Sequence, residues 1–167
     1  MRTYTYIFYV LASVVAYLPL NIKAELGHTY ESKLGNITVS VMVKPREKMF
    51  HSNSSWWGLT PENVQNIKTY VDNVLIKVGS QKIDVPLSAY TDLGNFRSVK
   101  IEKLKSLNTK KLNNDFVIIL EGGDASTSYI SKIYVKNNDV SLREMFHPGF
   151  PNIINVRTVY SRNNIAR

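Results

Sequence analysis

Phe116-Val117-Ile118-Ile119-Leu120-Glu121, then Gly122-Gly123-Asp124-Ala125-Ser126, then Thr127-Ser128-Tyr129-Ile130-Ser131-Lys132-Ile133-Tyr134-Val135 is the stretch that sets the fold class. Two runs rich in β-branched and aromatic residues flank five turn-forming ones, which is the pattern of a β-hairpin. Successive strand side chains alternate faces, so Phe116, Ile118 and Leu120 point one way and Val117, Ile119 and Glu121 the other. Both faces of the first arm are apolar up to the turn. Such an arm is predicted to be an interior strand buried on both sides, with other strands assembled around it.

The neighbouring segments extend this reading in both directions. Asn137-Asn138-Asp139 supplies a tight turn, so residues 140–146 are predicted to return as a third antiparallel arm and complete a meander. His147-Pro148-Gly149-Phe150-Pro151 is expected to be irregular, because two prolines and a glycine suit neither ladder nor helix. Residues 153–160 resume alternation, with Ile154, Val156, Thr158 and Tyr160 on one side, and 161–167 form a basic tail.

Upstream, residues 33–44 alternate cleanly. Ile37, Val39, Val41 and Val43 share one face and Thr38, Ser40 and Met42 the other, as in a half-buried strand. Residues 25–30 are polar and are expected to be poorly ordered. Thr60-Pro61-Glu62 reads as a helix start with Thr60 as N-cap, and Val64, Ile67 and Val71 fall at helical spacing, predicting a short helix from Pro61 to about Tyr70. Residues 74–78 and 81–85 around Gly79-Ser80 form a second predicted hairpin. Residues 87–93 suit a helical turn or two, closed by Gly94 or Asn95 in the left-handed conformation. Residues 98–105 are read as a strand, and 106–114 as a loose basic loop. The expected architecture is mainly β, with α+β as the alternative: an antiparallel sheet or β-sandwich of about seven strands with one short helix.

The N-terminal segment points to export. Arg2 precedes an apolar stretch over residues 7–18, and Asn21-Ile22-Lys23-Ala24 ends on a small residue, so residues 1–24 are read as a signal peptide cleaved after Ala24. The stretch is shorter than the roughly 20 apolar residues a bilayer span requires, and Pro19 interrupts its continuation, so no stable span is expected after cleavage. Residues 25–167 are then one β-rich domain, periplasmic or secreted. The chain has no cysteine, which excludes disulfides, thiol catalysis and a lipid-anchored N-terminal cysteine. Without residues 1–24 the chain loses Arg2 and Lys23 and no acid, so its formal charge falls from +8 to +6. A basic exported protein meets anionic envelope polymers and acidic proteins first. No reading motif for nucleic acid is present, and the export signal argues against one.

Candidate site residues fall in three places. His51, Trp56 and Trp57 lie in a polar loop over residues 49–58, where an aromatic platform would suit a sugar ring or a partner's side chain. Burial of one tryptophan in the core and exposure of the other satisfies the alternation of adjacent side chains. Glu121 and Asp124 flank the glycine-rich turn. They suit a cation site or an acid–base pair, but turn formation alone explains Gly122, Gly123 and Asp124. His147 stands before Pro148. His28, His51 and His147 lack the His-x-x-x-His spacing of helical metal ligands, no Asp-x-Asp-x-Asp run is present, and neither a nucleophile elbow nor a phosphate loop occurs. No cofactor or metal is implied. Lysines between 100 and 111, with Arg157, Arg162 and Arg167, supply basic surface.

Four short motifs carry a resemblance: Trp57-Gly58-Leu59-Thr60-Pro61-Glu62, Asp92-Leu93-Gly94-Asn95, Gly122-Gly123-Asp124-Ala125 followed by Ser128-Tyr129, and Gly149-Phe150-Pro151. In that order they resemble a group of small exported bacterial proteins of unknown function. The resemblance implies export and transfers no catalytic residue. The function expected from the sequence is an exported, non-enzymatic binding module, an inhibitor or immunity-type protein in its most concrete form, with a protein partner or an anionic envelope polymer. The alternatives are a small envelope hydrolase using His147 or the two carboxylates, and a structural component of the envelope.

Overall fold

The computed structural model describes residues 27–46, 57, 66–104, 115–124 and 127–161. Nine strands follow one another in chain order: β1 (His28–Leu34), β2 (Ile37–Pro45), β3 (Thr69–Val78), β4 (Gln81–Ile83), β5 (Phe96–Lys103), β6 (Phe116–Gly122), β7 (Tyr129–Lys136), β8 (Asp139–His147) and β9 (Phe150–Val159). They form two antiparallel meanders, a four-stranded sheet β1-β2-β3-β4 and a five-stranded sheet β5-β6-β7-β8-β9. The mainly β reading holds, in the form of two antiparallel sheets; among the described residues there are nine strands against the expected seven or so, and a 3₁₀ turn but no α-helix.

The alternating stripe of β2 is the floor of the core, with Ile37, Val39, Val41 and Val43 all buried against Val71, Val74, Ile76 and Val78 of β3. Facing them, β6 contributes Phe116, Ile118 and Leu120, each with no exposed surface, and β7 contributes Tyr129, Ile133 and Val135. Val117 and Ile119 are also buried on the opposite face of β6, so the arm that set the fold class is an interior strand as expected. The β7–β8 turn holds Asn137 and Asn138 at φ +52° and +60°. Two successive positive φ values match the right-handed twist of a tight hairpin, and Asn is among the few side chains that accept them.

The departures have local causes. Residues 61–65 of the helix expected from Pro61 lie outside the described residues; of the rest, Asn66 is in a 3₁₀ turn, Ile67 and Lys68 are irregular, and Thr69 and Tyr70 belong to β3. There the ladder with Lys44 and Pro45 of β2 outweighs the helical spacing of Ile67 and Val71. The polar residues His28, Thr29 and Tyr30 are part of β1 and not a frayed start. Backbone pairing with β2 needs no apolar pattern, and the Tyr30 ring meets Phe96 edge-on at 4.9 Å. Residues 147–151 are not an irregular segment either. Pro148 and Gly149 make the turn, His147 pairs with Phe150, and Pro151 is tolerated because β9 is an edge strand. The register then jumps, with Phe146 opposite Ile154, so the residues between Phe150 and Ile154 have no opposite number on β8. The expected stripe of β9 is broken as well: Val156 lies opposite Met145 but Ile154 opposite Phe146, so Asn155 is left over and the two apolar residues fall on opposite faces, 42% and 39% exposed.

The crossover between the sheets, residues 84–95, contains a 3₁₀ turn at Leu87–Ala89 and plugs the core with Ala89, Tyr90 and Leu93. Of the two positions the sequence offered for the left-handed conformation, Asn95 takes it, at φ +47°, and Gly94 does not.

On the outer face of the five-stranded sheet, Tyr134 donates to Glu144 Oε2 at 2.9 Å, and Arg157 donates to Glu144 Oε1 through Nε at 2.9 Å. Burial, and then the hydrogen bond to Glu144, push the Tyr134 hydroxyl up to about 12. An unfolded tyrosine ionises near pH 10, so the folded chain holds this proton more tightly. The associated stability is intact below pH 10 and is lost as pH rises from 10 towards about 12. The urea midpoint is expected to fall through that window, and less steeply in Tyr134→Phe. An equal slope in the variant would show that Tyr134 does not carry the effect.

Candidate functional site

Three of the residues singled out from the sequence, Glu121, Asp124 and His147, are carried to the same end of the five-stranded sheet. Gly122 lies opposite Phe96 on one side and Tyr129 on the other, and Ile130, which follows Tyr129, pairs with Phe146, which precedes His147. A cleft of about 280 Å³ opens there, walled by Arg97, Glu121, Ser128, Tyr129, Ile130 and Pro148.

Each carboxylate has a structural task. Glu121 Oε2 accepts from Ser98 Oγ at 2.8 Å and its Oε1 lies 3.7 Å from Lys100 Nζ. Asp124 closes the hairpin turn: its N–H donates to Thr127 Oγ1 at 3.0 Å, and its carbonyl accepts the Thr127 hydroxyl at 2.7 Å. The side chain accepts from Asn95 Nδ2 at 2.9 Å and from Arg97 Nη2 at 3.2 Å. Asn95 in turn accepts the Lys68 amide at 2.8 Å and donates to the Asn66 carbonyl at 3.1 Å. One asparagine therefore joins the start of β3 to the β6–β7 turn.

His147 is not brought into this pairing. It sits on β8, two strands from β6, a separation of about 10 Å at the usual strand spacing. Its Nδ1 accepts the Gly149 amide at 3.1 Å, and its ring is 5.9 Å from that of Phe150. Among the described residues no three His, Asp or Glu side chains gather as metal ligands. His51 and Trp56 lie outside the described residues. Trp57 is half-buried against the core, and its backbone amide donates to the Asp92 carbonyl at 3.0 Å, so it is tied to the crossover and not to the cleft.

Two groups went unread in the sequence. Arg97 enters the ladder at an irregularity between Phe96 and Ser98, so a strand count passes over it. Arg143 is buried at 4% exposure and donates to Asp92 Oδ1 at 2.7 Å and to the Ser88 carbonyl at 2.9 Å. The signal for Arg143 was available. Alternation places it on the same face as Met145, which has no exposed surface.

No protein-family model matches the chain, and neither the curated proteins nor the solved structures provide a match.

Proposed function

We propose that the chain is an exported, non-enzymatic binding module that engages a protein partner through the cleft end of its five-stranded sheet, with an inhibitor or immunity-type protein as the most concrete form. The observation that carries the reading is the state of the charged groups around the cleft. Glu121 and Asp124 are spent on Ser98, Asn95 and Arg97, which supports recognition over proton transfer. Arg97, with 54% of its side-chain surface exposed, makes one hydrogen bond among the described residues, to Asp124. A guanidinium has further donors to offer a partner's carboxylate.

Affinity capture from an envelope and secreted-protein extract at two salt concentrations tests the reading. One saturable protein partner is expected to survive high salt, and Arg97→Glu is expected to weaken its binding at least tenfold, about the effect of reversing one interfacial charge. Recovery of only an anionic polymer that washes off with salt would refute the protein-partner reading. A hydrolytic activity lost in Glu121→Gln or His147→Ala, with folding intact, would replace it with the hydrolase.

A further inference from the structure

The two sheets end together at the pole opposite the cleft, where their turns are bonded into one surface. The Gly79 amide of the β3–β4 turn donates to the Asn36 carbonyl of the β1–β2 turn at 2.8 Å. Asn138 Nδ2 of the β7–β8 turn donates to Gln81 Oε1 at 3.0 Å. Asp115, just before β6, accepts the Asn137 amide on Oδ1 at 3.1 Å and the Leu104 amide, just after β5, on its carbonyl at 3.2 Å. Five lysines stand within two residues of these connections: Lys33, Lys77, Lys82, Lys103 and Lys136, all exposed. The acids within the same distance are Glu102, Asp115 and Asp139, so five positive charges meet three negative ones and leave +2. Residues 105–114, which join β5 to β6, add three lysines and no acid in sequence.

Register sharpens the pattern. Lys33, Thr38, Lys77 and Lys82 lie opposite one another in a single row across β1, β2, β3 and β4. The row faces outward, because its neighbours Ile37, Val39, Ile76, Val78 and Ile83 are buried in the core. Lys77 and Lys82 are therefore like charges directly opposite, an arrangement that destabilises a sheet unless a counter-charge meets it. Lys33 is 3.0 Å from Glu31, but the other four lysines make no ion pair among the described residues. At the cleft end, by contrast, Asp72, Glu121 and Asp124 are matched by Lys44, Lys100 and Arg97. The turns themselves, Gly35-Asn36, Gly79-Ser80 and Asn137-Asn138, hold no acid, although Asp suits such positions as Asn does, and no apolar anchor.

We propose that this end docks on an anionic lipid bilayer through Lys33, Lys77, Lys82, Lys103 and Lys136, with the strands standing on the membrane and the cleft facing away from it. Lys77 and Lys82 leave the outer face of one sheet, and Lys136, which follows the buried Val135, leaves the outer face of the other. Opposite faces of a sandwich meet one plane only end-on. Each lysine stands at most about 7 Å from its turn at about 3.4 Å per residue, within the span of an extended lysine stem. A single polyanion strand laid along the row of Lys33, Lys77 and Lys82 leaves Lys136 unmet, whereas a flat headgroup layer meets both rims. Without an apolar anchor the contact is shallow and electrostatic. The seven residues of β6 then hold the cleft about 20 Å above the headgroups. The docking does not depend on what the cleft binds.

Co-sedimentation of the purified protein with vesicles tests the docking. Binding is expected to phosphatidylcholine vesicles that contain phosphatidylglycerol, not to phosphatidylcholine alone, and is expected to be lost at about 0.5 M salt. Lys77→Gln and Lys136→Gln, on opposite faces, are each expected to weaken it about fivefold, and together about 25-fold. Lys44→Gln with Lys68→Gln removes the same charge at the cleft end and is expected to weaken it no more than about twofold. The chain has no cysteine, so Ser80→Cys and Pro148→Cys each carry one fluorescent label. Energy transfer to labelled headgroups is expected to be stronger from position 80 than from position 148. Absence of binding at low salt overturns the proposal, even where the protein is retained on soluble polyphosphate. So does an equal loss in the Lys44 and Lys68 double variant, an effect of Lys77→Gln without one of Lys136→Gln, or stronger transfer from position 148.

Discussion

Replacing Asp92 with alanine is expected to cost the fold about 3 kcal/mol, the lower end of what breaking a buried ion pair costs. The partner left behind is Arg143, whose side chain is 4% exposed. A guanidinium cannot escape by losing its proton, so it must stay buried and charged. Its remaining contacts, the Ser88 carbonyl at 2.9 Å, Ser131 Oγ at 3.3 Å and Met145 Sδ at 3.0 Å, are neutral acceptors that compensate part of that charge. Asp92 keeps 29% of its side-chain surface exposed, so water can reach the gap, which is why the lower end applies. Arg143→Met removes the charge and most of the void together, and is expected to fall within about 1 kcal/mol of the wild type. Urea denaturation followed by tryptophan fluorescence checks both. A loss under about 1 kcal/mol in Asp92→Ala would mean that the ion pair does not hold the crossover to the sheet.

That pair also marks how far the sequence could be read. Hairpins are local objects, and their signals are local: the stripe from Ile37 to Val43, the doubly apolar run from Phe116 to Leu120, and Asn137-Asn138 at a turn needing two positive φ values. Each was legible because a strand's period of two and a turn's conformational demand act over a few residues. Asp92 and Arg143 stand 51 positions apart, and no local pattern links them. Their meeting depends on how the crossover lies on the five-stranded sheet, a tertiary choice. The same limit applied to the site. Asp124 was legible as a turn former, and it is one, but its bonds to Asn95 and Arg97 span 29 and 27 positions. Residues 147–151 misled for a different reason. Proline and glycine exclude an interior strand, yet at an edge they leave a two-residue turn and a strand that pairs on one side only.

Gly122→Ala is expected to be a second severe substitution, costing about 3 kcal/mol, with the damage centred on the cleft. Gly122 is buried at the end of β6, directly opposite Tyr129 on β7, and the Tyr129 ring lies across it. A Cβ at position 122 would overlap the Tyr129 hydroxyl oxygen and approach the Asn95 carbonyl to 2.8 Å. Neither neighbour gives way cheaply. Tyr129 is 1% exposed and belongs to the core, and the Asn95 carbonyl accepts the Gly123 amide at 3.0 Å. The Tyr129 hydroxyl is itself anomalous: it is buried without a hydrogen-bond partner among the described residues, and burial pushes its ionisation well above the usual tyrosine range. Removing an unpaired buried hydroxyl relieves its desolvation, so Tyr129→Phe is expected to be neutral or to stabilise by about 1 kcal/mol. The double variant then isolates the share of the hydroxyl. Losing the hydroxyl removes the worst overlap and leaves the ring carbon at 2.6 Å and the Asn95 carbonyl at 2.8 Å, so Gly122→Ala in the Tyr129→Phe background is expected to recover part of the loss and not all of it. Full recovery would make Tyr129 the sole reason for glycine at this position. No recovery would assign it to the contacts that remain, the ring carbon at position 129 and the backbone of Asn95, the residue that ties β3 to the β6–β7 turn.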